Sequence, residues 1–316
     1  MVDRGGGPTA ADRFSWACPE CHGPLDSLSV FCKRCSKCSQ DYVYRNGIWR
    51  FLMPERDQYF RRFVEDYEAI RKAEGRGLSD AAYYRALPFE DLTLEHSASW
   101  RIRAASYRML VKEVIGEDMA RHSENARILD LGAGNCWLSN RLSAKGLDVA
   151  AIDLSINIRD GLGAHIHYDE DFVPVQADFN ALPFDRGQFQ LAIFNASFHY
   201  AVNFERALNE VKRVLQDDGQ VVILDSPLYH DESSGQAMLR EQQESFLRLY
   251  GCRSNALPSQ GFLTYQRLEE LARAMGIKWR MAWPNYGLSW ALRPWKARVL
   301  GKREPARFAL IIGRKE

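Results

Sequence analysis

A turn that contains two glycines separates a short apolar segment from a helical one in the middle of the chain. Residues 127–142 read RILDLGAGNCWLSNRL, with glycines at positions 132 and 134. Glycine has no Cβ atom, so a ligand can approach the backbone closely at such a turn. The free N–H groups at the start of the following helix can also bind an anionic group. The pattern therefore predicts a cofactor site at Gly132 and Gly134.

Two classes of cofactor bind at turns of this kind, and the third position of the motif distinguishes them. In the dinucleotide-binding motif G-x-G-x-x-G, the third glycine lets the strand and the helix pack closely around a pyrophosphate. Trp137 occupies that position in this chain. A tryptophan there disfavours a dinucleotide and favours a cofactor that has no pyrophosphate.

The carboxyl-terminal two thirds of the chain alternates apolar, strand-like segments with helical ones. Helices are expected at residues 137–144, near Asn157, at 205–215 and at 265–274. Strands are expected at residues 127–131, 149–153, 172–177, 189–195, 221–225, 277–284 and 307–314. Short apolar strands separated by helices predict an α/β fold with a doubly wound, mostly parallel sheet. Ligands of such sheets bind at the carboxyl ends of the strands.

Four segments of this region resemble motifs of the class I methyltransferases, which bind S-adenosylmethionine. LDLGAGNCWLSNRL is similar to their first motif, and VAAIDLS to their second strand. VQADFNALPF is similar to the next motif, and NEVKRVLQDDGQVVILD to the helix, turn and fifth strand that follow. The resemblance implies a seven-stranded, Rossmann-like methyltransferase sheet and S-adenosylmethionine as the cofactor. Cys136 departs from the family pattern, which commonly has a third glycine at this position.

The same resemblance implies a role for each polar residue at the strand ends. Asp130 would help to hold the ammonium group of the cofactor, and Asp153 would accept hydrogen bonds from both ribose hydroxyls. Asp178 would bind the adenine amino group, with Phe179 beside the ring. The implied cofactor-binding residues are Asp130, Gly132, Gly134, Asn135, Asp153, Asp178, Phe179 and Asn195.

The methyl acceptor is expected beyond the fourth strand, where the chain reads IFNASFHYAVNF. His199 in this segment is the candidate catalytic general base, because a histidine ordinarily titrates near neutral pH. The alternative is that His199 only packs in the pocket wall between Phe198 and Tyr200. Asn195, at the strand end, is a candidate contact for either the cofactor or the acceptor.

Five of the seven cysteines lie within residues 18–38. Cys18 and Cys21 form one Cys-x-x-Cys pair, and the second pair is either Cys32 with Cys35 or Cys35 with Cys38. Two such pairs supply four thiolates to one structural zinc ion, which has no open position for a substrate. A cytoplasmic chain would keep its cysteines reduced, which favours a metal over disulfides.

The segment CSKCSQDYVYRNGIWRFL resembles the hairpin of small zinc-ribbon proteins that are associated with methyltransferases. In those proteins the second cysteine pair is followed by a tyrosine-containing strand and a Gly-Ile turn into an apolar strand. The resemblance implies that Cys35 and Cys38 complete the site, and it leaves Cys32 as a free thiol or an alternate ligand. The zinc ligands so implied are Cys18, Cys21, Cys35 and Cys38.

The composition divides the chain into three predicted domains. Residues 1–54 form a small zinc-ribbon domain, residues 55–122 a helical linker and cap, and residues 123–316 the methyltransferase domain. The cap is expected because apolar residues recur at helical spacing after Pro54. The apolar face of its first helix is predicted to comprise Tyr59, Phe63, Tyr67 and Ile70.

Charge and hydropathy limit the location and the partners of the protein. The formal net charge of +1 gives the whole molecule no preference for nucleic acid. No apolar run approaches the roughly 20 residues of a transmembrane segment, and the amino terminus lacks the apolar region of a signal peptide. A cytoplasmic protein is therefore predicted.

The acceptor is predicted only by its chemical class. Residues 226–259 resemble a lid around a compact molecule, which favours a small or lipid-like metabolite as the acceptor. RNA is the alternative, because a zinc ribbon joined to this domain also resembles bacterial ribosomal RNA guanine methyltransferases. A further alternative is a module that binds the cofactor and a partner without turnover.

The basic carboxyl-terminal segment has several interpretations. It reads YGLSWALRPWKARVLGKREPARF, in which tryptophans alternate with lysines and arginines. Such a composition suits contact with RNA, peripheral contact with an anionic membrane, or recognition of an acidic small molecule. It also suits a solvated helix whose tryptophans lie in the core.

Overall fold

The computed structural model describes residues 13–78, 80–116 and 126–315 of the chain. The amino-terminal residues 1–12, on which the absence of a signal peptide depends, lie outside the described residues. The predicted boundary between residues 122 and 123 also lies outside them.

Four short strands and three helices form the first part of the described chain. The strands are β1 (Leu25–Ser29), β2 (Cys32–Cys35), β3 (Asp41–Arg45) and β4 (Ile48–Arg50). The helices are α1 (Pro54–Ala73), α2 (Ala81–Ala86) and α3 (Ser97–Leu110), and α3 continues into a π-helical segment at Val111–Ile115.

Strands and helices then alternate to the end of the chain. The first group is β5 (Arg127–Leu131), α4 (Trp137–Ser143), β6 (Asp148–Asp153), β7 (Val173–Gln176), β8 (Phe189–Asn195), α5 (Phe204–Val214) and β9 (Leu215–Leu224). The second group is β10 (Leu228–Tyr229), α6 (Glu232–Tyr250), β11 (Leu263–Thr264), α7 (Tyr265–Met275), β12 (Ile277–Ala282), α8 (Leu288–Ala291), α9 (Arg293–Val299) and β13 (Leu310–Lys315). Short 3-10 helices occur at Leu162–His167 and Phe198–Tyr200.

One sheet of eleven strands organises the molecule, in the order β1-β2-β3-β4-β7-β6-β5-β8-β9-β13-β12. Neighbouring strands from β7 to β9 are parallel, whereas β13 is antiparallel to both β9 and β12. The chain runs outward from β5 to β7 and then returns to β8 on the other side of β5. This reversal makes the sheet doubly wound and opens a crevice between β5 and β8. The predicted α/β class and mostly parallel sheet are confirmed.

The core lies on both faces of this sheet because its central strands are buried on both sides. Leu129 and Leu131 of β5 belong to the apolar cluster that includes α5 and α7. Ile128 belongs to the cluster that includes α3 and α4. Successive side chains of a strand point to opposite faces, so one strand contributes to both clusters.

The amino-terminal strands extend the sheet at the edge formed by β7. β4 pairs in parallel with β7, and Trp49 lies opposite Val175 and Arg50 opposite Gln176. The backbone N–H of Phe51 donates to the carbonyl oxygen of Gln176 at 2.8 Å. The cysteine-containing segment is therefore hydrogen-bonded to the sheet through its last strand.

Aromatic side chains join the same segment to the core. The Trp16 ring stacks on Phe51 and on Phe184, and its centroid is 5.0 Å from each of theirs. Arg13 forms an ion pair with Asp148 at 3.2 Å. The segment thus shares one hydrophobic cluster with the central strands.

The helix expected near Asn157 is not formed. Asp153 accepts a hydrogen bond from the backbone N–H of Ser155, and Asn157 accepts one from the backbone N–H of Arg159, both at 2.8 Å. Side chains that bind the backbone two residues later stabilise tight turns in competition with a helix. The chain becomes helical only at the 3-10 segment that begins at Leu162.

Helix α1 lies across the carboxyl ends of the central strands. Its Glu68 accepts a hydrogen bond at 2.6 Å from Ser155, which follows β6. Its Phe63 ring lies 5.6 Å from the ring of Tyr200, which follows β8. The apolar face differs from the prediction by one residue, since Phe60 is 4% exposed whereas Tyr59 is 45% exposed.

None of the helices in the described part of the chain is both long and apolar enough to span a lipid bilayer.

Candidate active site

The glycine turn after β5 requires both of its glycines. Gly132 has φ of 75° and Gly134 has φ of 53°, a left-handed conformation that other residues rarely adopt. A Cβ atom on Gly132 would lie 2.3 Å from the Cβ of Ser197, so a larger residue would also clash. Cys136 has φ of 64° and is fully buried, so it adopts the left-handed conformation without being a glycine.

Asp153 at the end of β6 holds this turn in place. One carboxylate oxygen accepts from the backbone N–H of Gly134 at 2.8 Å, and the other accepts from the backbone N–H of Ser155 at 2.8 Å. Burial raises the pKa of the Asp153 carboxyl to about 6. Asp153 lines the adjoining cavity, and the remaining lone pairs of its carboxylate oxygens are available to accept hydrogen bonds from a ligand.

Asp130 lies behind the turn and is fully buried. The hydroxyl of Ser139 donates to its Oδ2 atom at 2.7 Å, whereas its Oδ1 atom has no partner among the described residues. Burial raises the pKa of Asp130 to about 7, and the charge of nearby Asp153 adds to the increase. An unpaired buried carboxylate oxygen suits a cationic ligand group, because the buried acceptor is costly when unsatisfied.

Asp178 and Phe179 follow β7 and line the same cavity. Asp178 accepts from the Arg56 guanidinium, with Nε at 3.0 Å and Nη2 at 2.5 Å, and also from the backbone N–H of Asn180 at 2.9 Å. The Phe179 ring packs edge-on against Phe194. The predicted adenine partner is therefore already bound to a cation from α1, which no pattern in the sequence indicated.

One cavity brings these elements together. Of the eight residues implied as cofactor contacts, five line it: Gly132, Gly134, Asp153, Asp178 and Phe179. The other three lie outside its lining and are buried: Asp130, Asn135 and Asn195. The other lining residues were not predicted as site residues. They come from α1, from β6 and the loop after it, and from the loops after β7, β8 and α6: Phe60, Phe63, Val64, Tyr67, Ile152, Leu154, Ser155, Asp160, Ala177, Asn180, Ala196, Ser197, Tyr200, Val202 and Leu257.

The donor set of this cavity fits S-adenosylmethionine. Carboxylates at the ends of two adjacent strands face it, and the turn presents backbone that a Cβ atom would otherwise cover. The remaining wall is largely aromatic and aliphatic. Ligand pockets are mostly apolar and carry a few polar groups that fix the orientation of the ligand.

His199 does not line this cavity. It is held beside β9 by a contact of 3.2 Å between its Nδ1 atom and the Ser226 hydroxyl, and its carbonyl oxygen accepts from the backbone N–H of Gly261 at 3.1 Å. Burial lowers the pKa of His199 to about 4, and the positive charge of Arg103 contributes to the decrease. The imidazole is therefore neutral at pH 7, and its neighbour Tyr200 forms the cavity wall instead.

A second polar group lies at the end of β9. Ser106 of α3 donates to Asp225 at 2.5 Å and contacts the hydroxyl of Tyr286 at 2.9 Å. The other carboxylate oxygen of Asp225 has no partner in the described part of the chain, and the same holds for Oδ1 of Asn195. Arg103, three residues before Ser106 on the same helix, packs over the Trp100 ring and forms no ion pair with any described residue. Unsatisfied acceptors and an unpaired cation are characteristic of a binding site.

The four cysteines implied as zinc ligands lie together. The Sγ atoms of Cys18, Cys21, Cys35 and Cys38 are all within 4.8 Å of one another. Sulfur atoms about 3.8 Å apart would surround a tetrahedral zinc ion at Zn–S distances of about 2.3 Å, so the cluster has suitable dimensions. Cys32 lies on β2 opposite Val43 and outside the cluster.

A family model matches the part of the chain that holds the glycine turn and the central parallel strands, so the chain contains a methyltransferase domain. The model is described as a methyltransferase domain and matches residues 129–223.

Two curated relatives share part of this region. The chain is 33% identical over 129 residues to malonyl-[acyl-carrier protein] O-methyltransferase of Geobacter sulfurreducens. This alignment covers 39% of this chain and 47% of the relative. The chain is also 34% identical over 97 residues to demethylmenaquinone methyltransferase of Clavibacter sepedonicus. That alignment covers 31% of this chain and 40% of the relative. The chain thus spans less than half the length of each.

Solved structures of other proteins also superpose on part of this chain. The YcgJ protein of Bacillus subtilis superposes with a TM-score of 0.47 at 15% identity, over 68% of this chain and 99% of that one.

Replacing Asp153 with Ala is expected to weaken binding of S-adenosylmethionine by about 100-fold or more, because about two charge-assisted hydrogen bonds are lost. Calorimetric titration with S-adenosylmethionine and S-adenosylhomocysteine would measure the loss. Asp217→Ala removes a fully exposed carboxylate and serves as the control. Circular dichroism of Asp153→Ala would establish that the protein is folded, and unchanged affinity in the folded variant would contradict the role of Asp153.

The affinity for S-adenosylmethionine is also expected to depend on pH. The ionised Asp153 carboxylate is the better acceptor, so binding should strengthen as the pH rises through its pKa of about 6. Asp130, whose pKa is about 7, should add a second increase at higher pH. Asp153→Asn cannot ionise at this position, so it should lose the increase near pH 6 and keep the one near pH 7. An increase near pH 6 that persisted in Asp153→Asn would assign that titration to another group.

Proposed function

We propose that this protein transfers a methyl group from S-adenosylmethionine to a small or lipid-like metabolite. The observation that carries the proposal is the single cavity in which the glycine turn, Asp153 and Asp178 meet under helix α1. By name, the curated relatives act on malonyl-[acyl-carrier protein] and demethylmenaquinone. These names support an acceptor that is compact or bound to a carrier.

Bound S-adenosylmethionine supplies a methyl group on a sulfonium that is already activated for transfer. The protein has to orient this group, align the acceptor and exclude water. Asp153 and the glycine turn would orient the cofactor, and Asp178 would exchange part of its contact with Arg56 for the adenine amino group. Phe60, Phe63 and Tyr67 of α1 would shield the cavity from solvent.

The polar group near the end of β9 is the proposed acceptor side of the site. Ligands of doubly wound sheets bind near the point where the strand order reverses, and β8 and β9 lie next to that point. Asn195 and Asp225 offer unsatisfied acceptor oxygens, and Arg103 offers a cation that contacts the Trp100 ring but forms no ion pair in the described chain. An acceptor with both a hydrogen-bond donor and an anionic group would satisfy all three.

His199 remains the candidate for the general base. Its pKa of about 4 makes it a weak base, which limits it to acceptors that need little help with deprotonation. Alternatively, its imidazole orients the acceptor by a hydrogen bond while remaining neutral.

A transfer assay with radiolabelled methyl groups would test the proposed function. Incorporation is expected in small-molecule or lipid extracts but not in RNA, and it should be lost in Asp153→Ala. His199→Ala should lower kcat and leave cofactor affinity unchanged, whereas a packing role would lower stability without a specific effect on kcat. Labelling of RNA alone would favour the alternative acceptor. Cofactor binding without labelling of any extract would favour a silent partner-binding module.

We also propose that Cys18, Cys21, Cys35 and Cys38 hold a structural zinc ion. Backbone N–H groups of Lys37 and Cys38 point to the Cys35 sulfur at 3.4 Å, an arrangement that stabilises a thiolate. The site would be closed, since all four positions are protein sulfurs.

Elemental analysis of purified protein is expected to give one zinc per chain. Cys18→Ser should release the metal, whereas Cys32→Ser, which changes a cysteine outside the cluster, should retain it. The zinc content of the unmodified protein tests the proposal even if Cys18→Ser fails to fold. Absence of zinc from the unmodified protein would contradict the site.

A further inference from the structure

We propose that helices α8 and α9 dock the protein on an anionic lipid surface. This inference concerns a surface outside the cofactor cavity, and it does not require the acceptor to be a lipid. We call the four residues that carry it the apolar stripe: Leu288, Leu292, Trp295 and Val299.

The apolar stripe follows both helices and Leu292, the residue between them. Leu292 has helical φ and ψ of −82° and −7°, its N–H donates to Leu288 at 3.0 Å, and its carbonyl oxygen accepts from the N–H of Lys296 at 3.0 Å. The helical path thus continues through Leu292, and spacings of four, three and four positions place the four residues on one side of it. Leu288 is 84% exposed, Leu292 58%, Trp295 66% and Val299 64%. Single exposed apolar residues are common, whereas a continuous exposed stripe indicates an interaction surface.

The opposite side of the pair is fixed to the protein. The Trp290 ring lies 5.0 Å from the ring of Tyr286 and 5.6 Å from that of Phe308, which is close to β13 in the sequence. The Arg293 guanidinium lies 3.9 Å above the Trp290 ring. Because these contacts hold the inner face, the apolar stripe is directed outward.

Basic residues accompany the apolar stripe, and acidic ones are missing. Residues 275–303 contain seven lysines and arginines and no aspartate or glutamate. Lys296, Arg298 and Lys302 are exposed, and none forms an ion pair with a residue in the described ranges. Nearby cations differ in this respect, since Arg280 binds Glu113 and Arg303 binds Glu241.

An anionic bilayer surface fits this combination best. Lys296 directly follows Trp295, and Arg298 directly precedes Val299, so cations adjoin the apolar stripe on the helix surface. Their stems can lie along acyl chains while their charged ends reach lipid phosphates. Tryptophan also prefers the interface between headgroups and acyl chains. A second copy of the chain would bring like charges together, and RNA would leave the aliphatic stripe unburied.

The position of the helical pair connects the surface with the acceptor side of the site. Tyr286, two residues before α8, contacts Ser106, which donates to Asp225 at the end of β9. Docking through the apolar stripe would therefore bring the acceptor side of the molecule close to the membrane.

Vesicle sedimentation of the full chain would test the proposal. The protein should bind vesicles of phosphatidylcholine mixed with phosphatidylglycerol. Its affinity for pure phosphatidylcholine vesicles should be lower by a factor of about ten or more. Added salt should weaken binding, because it screens the exposed charges. The double variant Leu292→Ser/Trp295→Ser should lose binding, and Lys296→Gln/Arg298→Gln should lose the preference for anionic vesicles.

Matched controls separate the surface from general effects. Leu94→Ser alters a leucine that is 82% exposed elsewhere, and Lys145→Gln alters an exposed lysine. Both controls should bind vesicles normally. All variants should bind S-adenosylmethionine as the unmodified protein does, so a failure of docking is distinguishable from a failure of the proposed function.

Three results would overturn the proposal. The first is vesicle binding that Leu292→Ser/Trp295→Ser leaves unchanged. The second is a doubling of molecular mass that depends on the apolar stripe without vesicle binding, which would identify a second copy as the occupant. The third is binding of RNA through Lys296 and Arg298 without binding of anionic vesicles.

Discussion

The hydrogen bond from the Gly134 backbone to the Asp153 carboxylate is the contact on which the site depends. It joins the turn after β5 to the end of β6, and it can form only because the two strands are parallel neighbours. The left-handed glycines of the turn, the nearby unpaired oxygen of Asp130 and the cavity above them all follow from this arrangement. A buried carboxylate needs such backbone donors, since burying it without them is costly.

The cap helix compensates for the acidity of this edge of the sheet. Arg56 binds Asp178, and Arg71 binds Asp160, so α1 supplies two cations to four carboxylates that line or adjoin the cavity. Asp130 and Asp153 form no ion pair with a described residue, and burial raises the pKa of each. S-adenosylmethionine, with its ammonium and sulfonium groups, would supply positive charge beside these two carboxylates. The same helix contributes an apolar wall, so it has both an electrostatic and a shielding role.

The cysteine-containing segment shares the core of the large sheet and covers one edge of that sheet. A segment of this length is too small to bury a core of its own. By pairing β4 with β7, it uses the core of the larger sheet through Trp16, Trp49 and Phe51. It also covers the edge of β7, which would otherwise expose unpaired backbone groups to other chains. The cysteine cluster then needs to order only the hairpins at the far end.

The sequence by itself determined the features that depend on residues close together in the chain. Alternating apolar segments predicted the parallel strands, and β8 begins and ends where expected. The acidic strand ends and the glycine turn predicted five residues of the cavity, and cysteine spacing limited the choice of ligand pairs. The prediction of a helix near Asn157 was wrong. Side-chain hydrogen bonds within a few residues stabilise turns there, and a hydropathy pattern does not detect such turns.

Only the tertiary structure decided which distant residues meet. Arg56 and Asp178 are 122 positions apart, and Ser106 and Asp225 are 119 apart, so no local pattern could relate them. The low pKa of His199 likewise arises from burial and from Arg103 on another helix. Local spacing fixes which face of an element is apolar, but packing of whole elements fixes which charges share a low-dielectric pocket. The sequence therefore determined the class of cofactor site, and the tertiary structure decided its charge balance, its cover and the exposure of the apolar stripe.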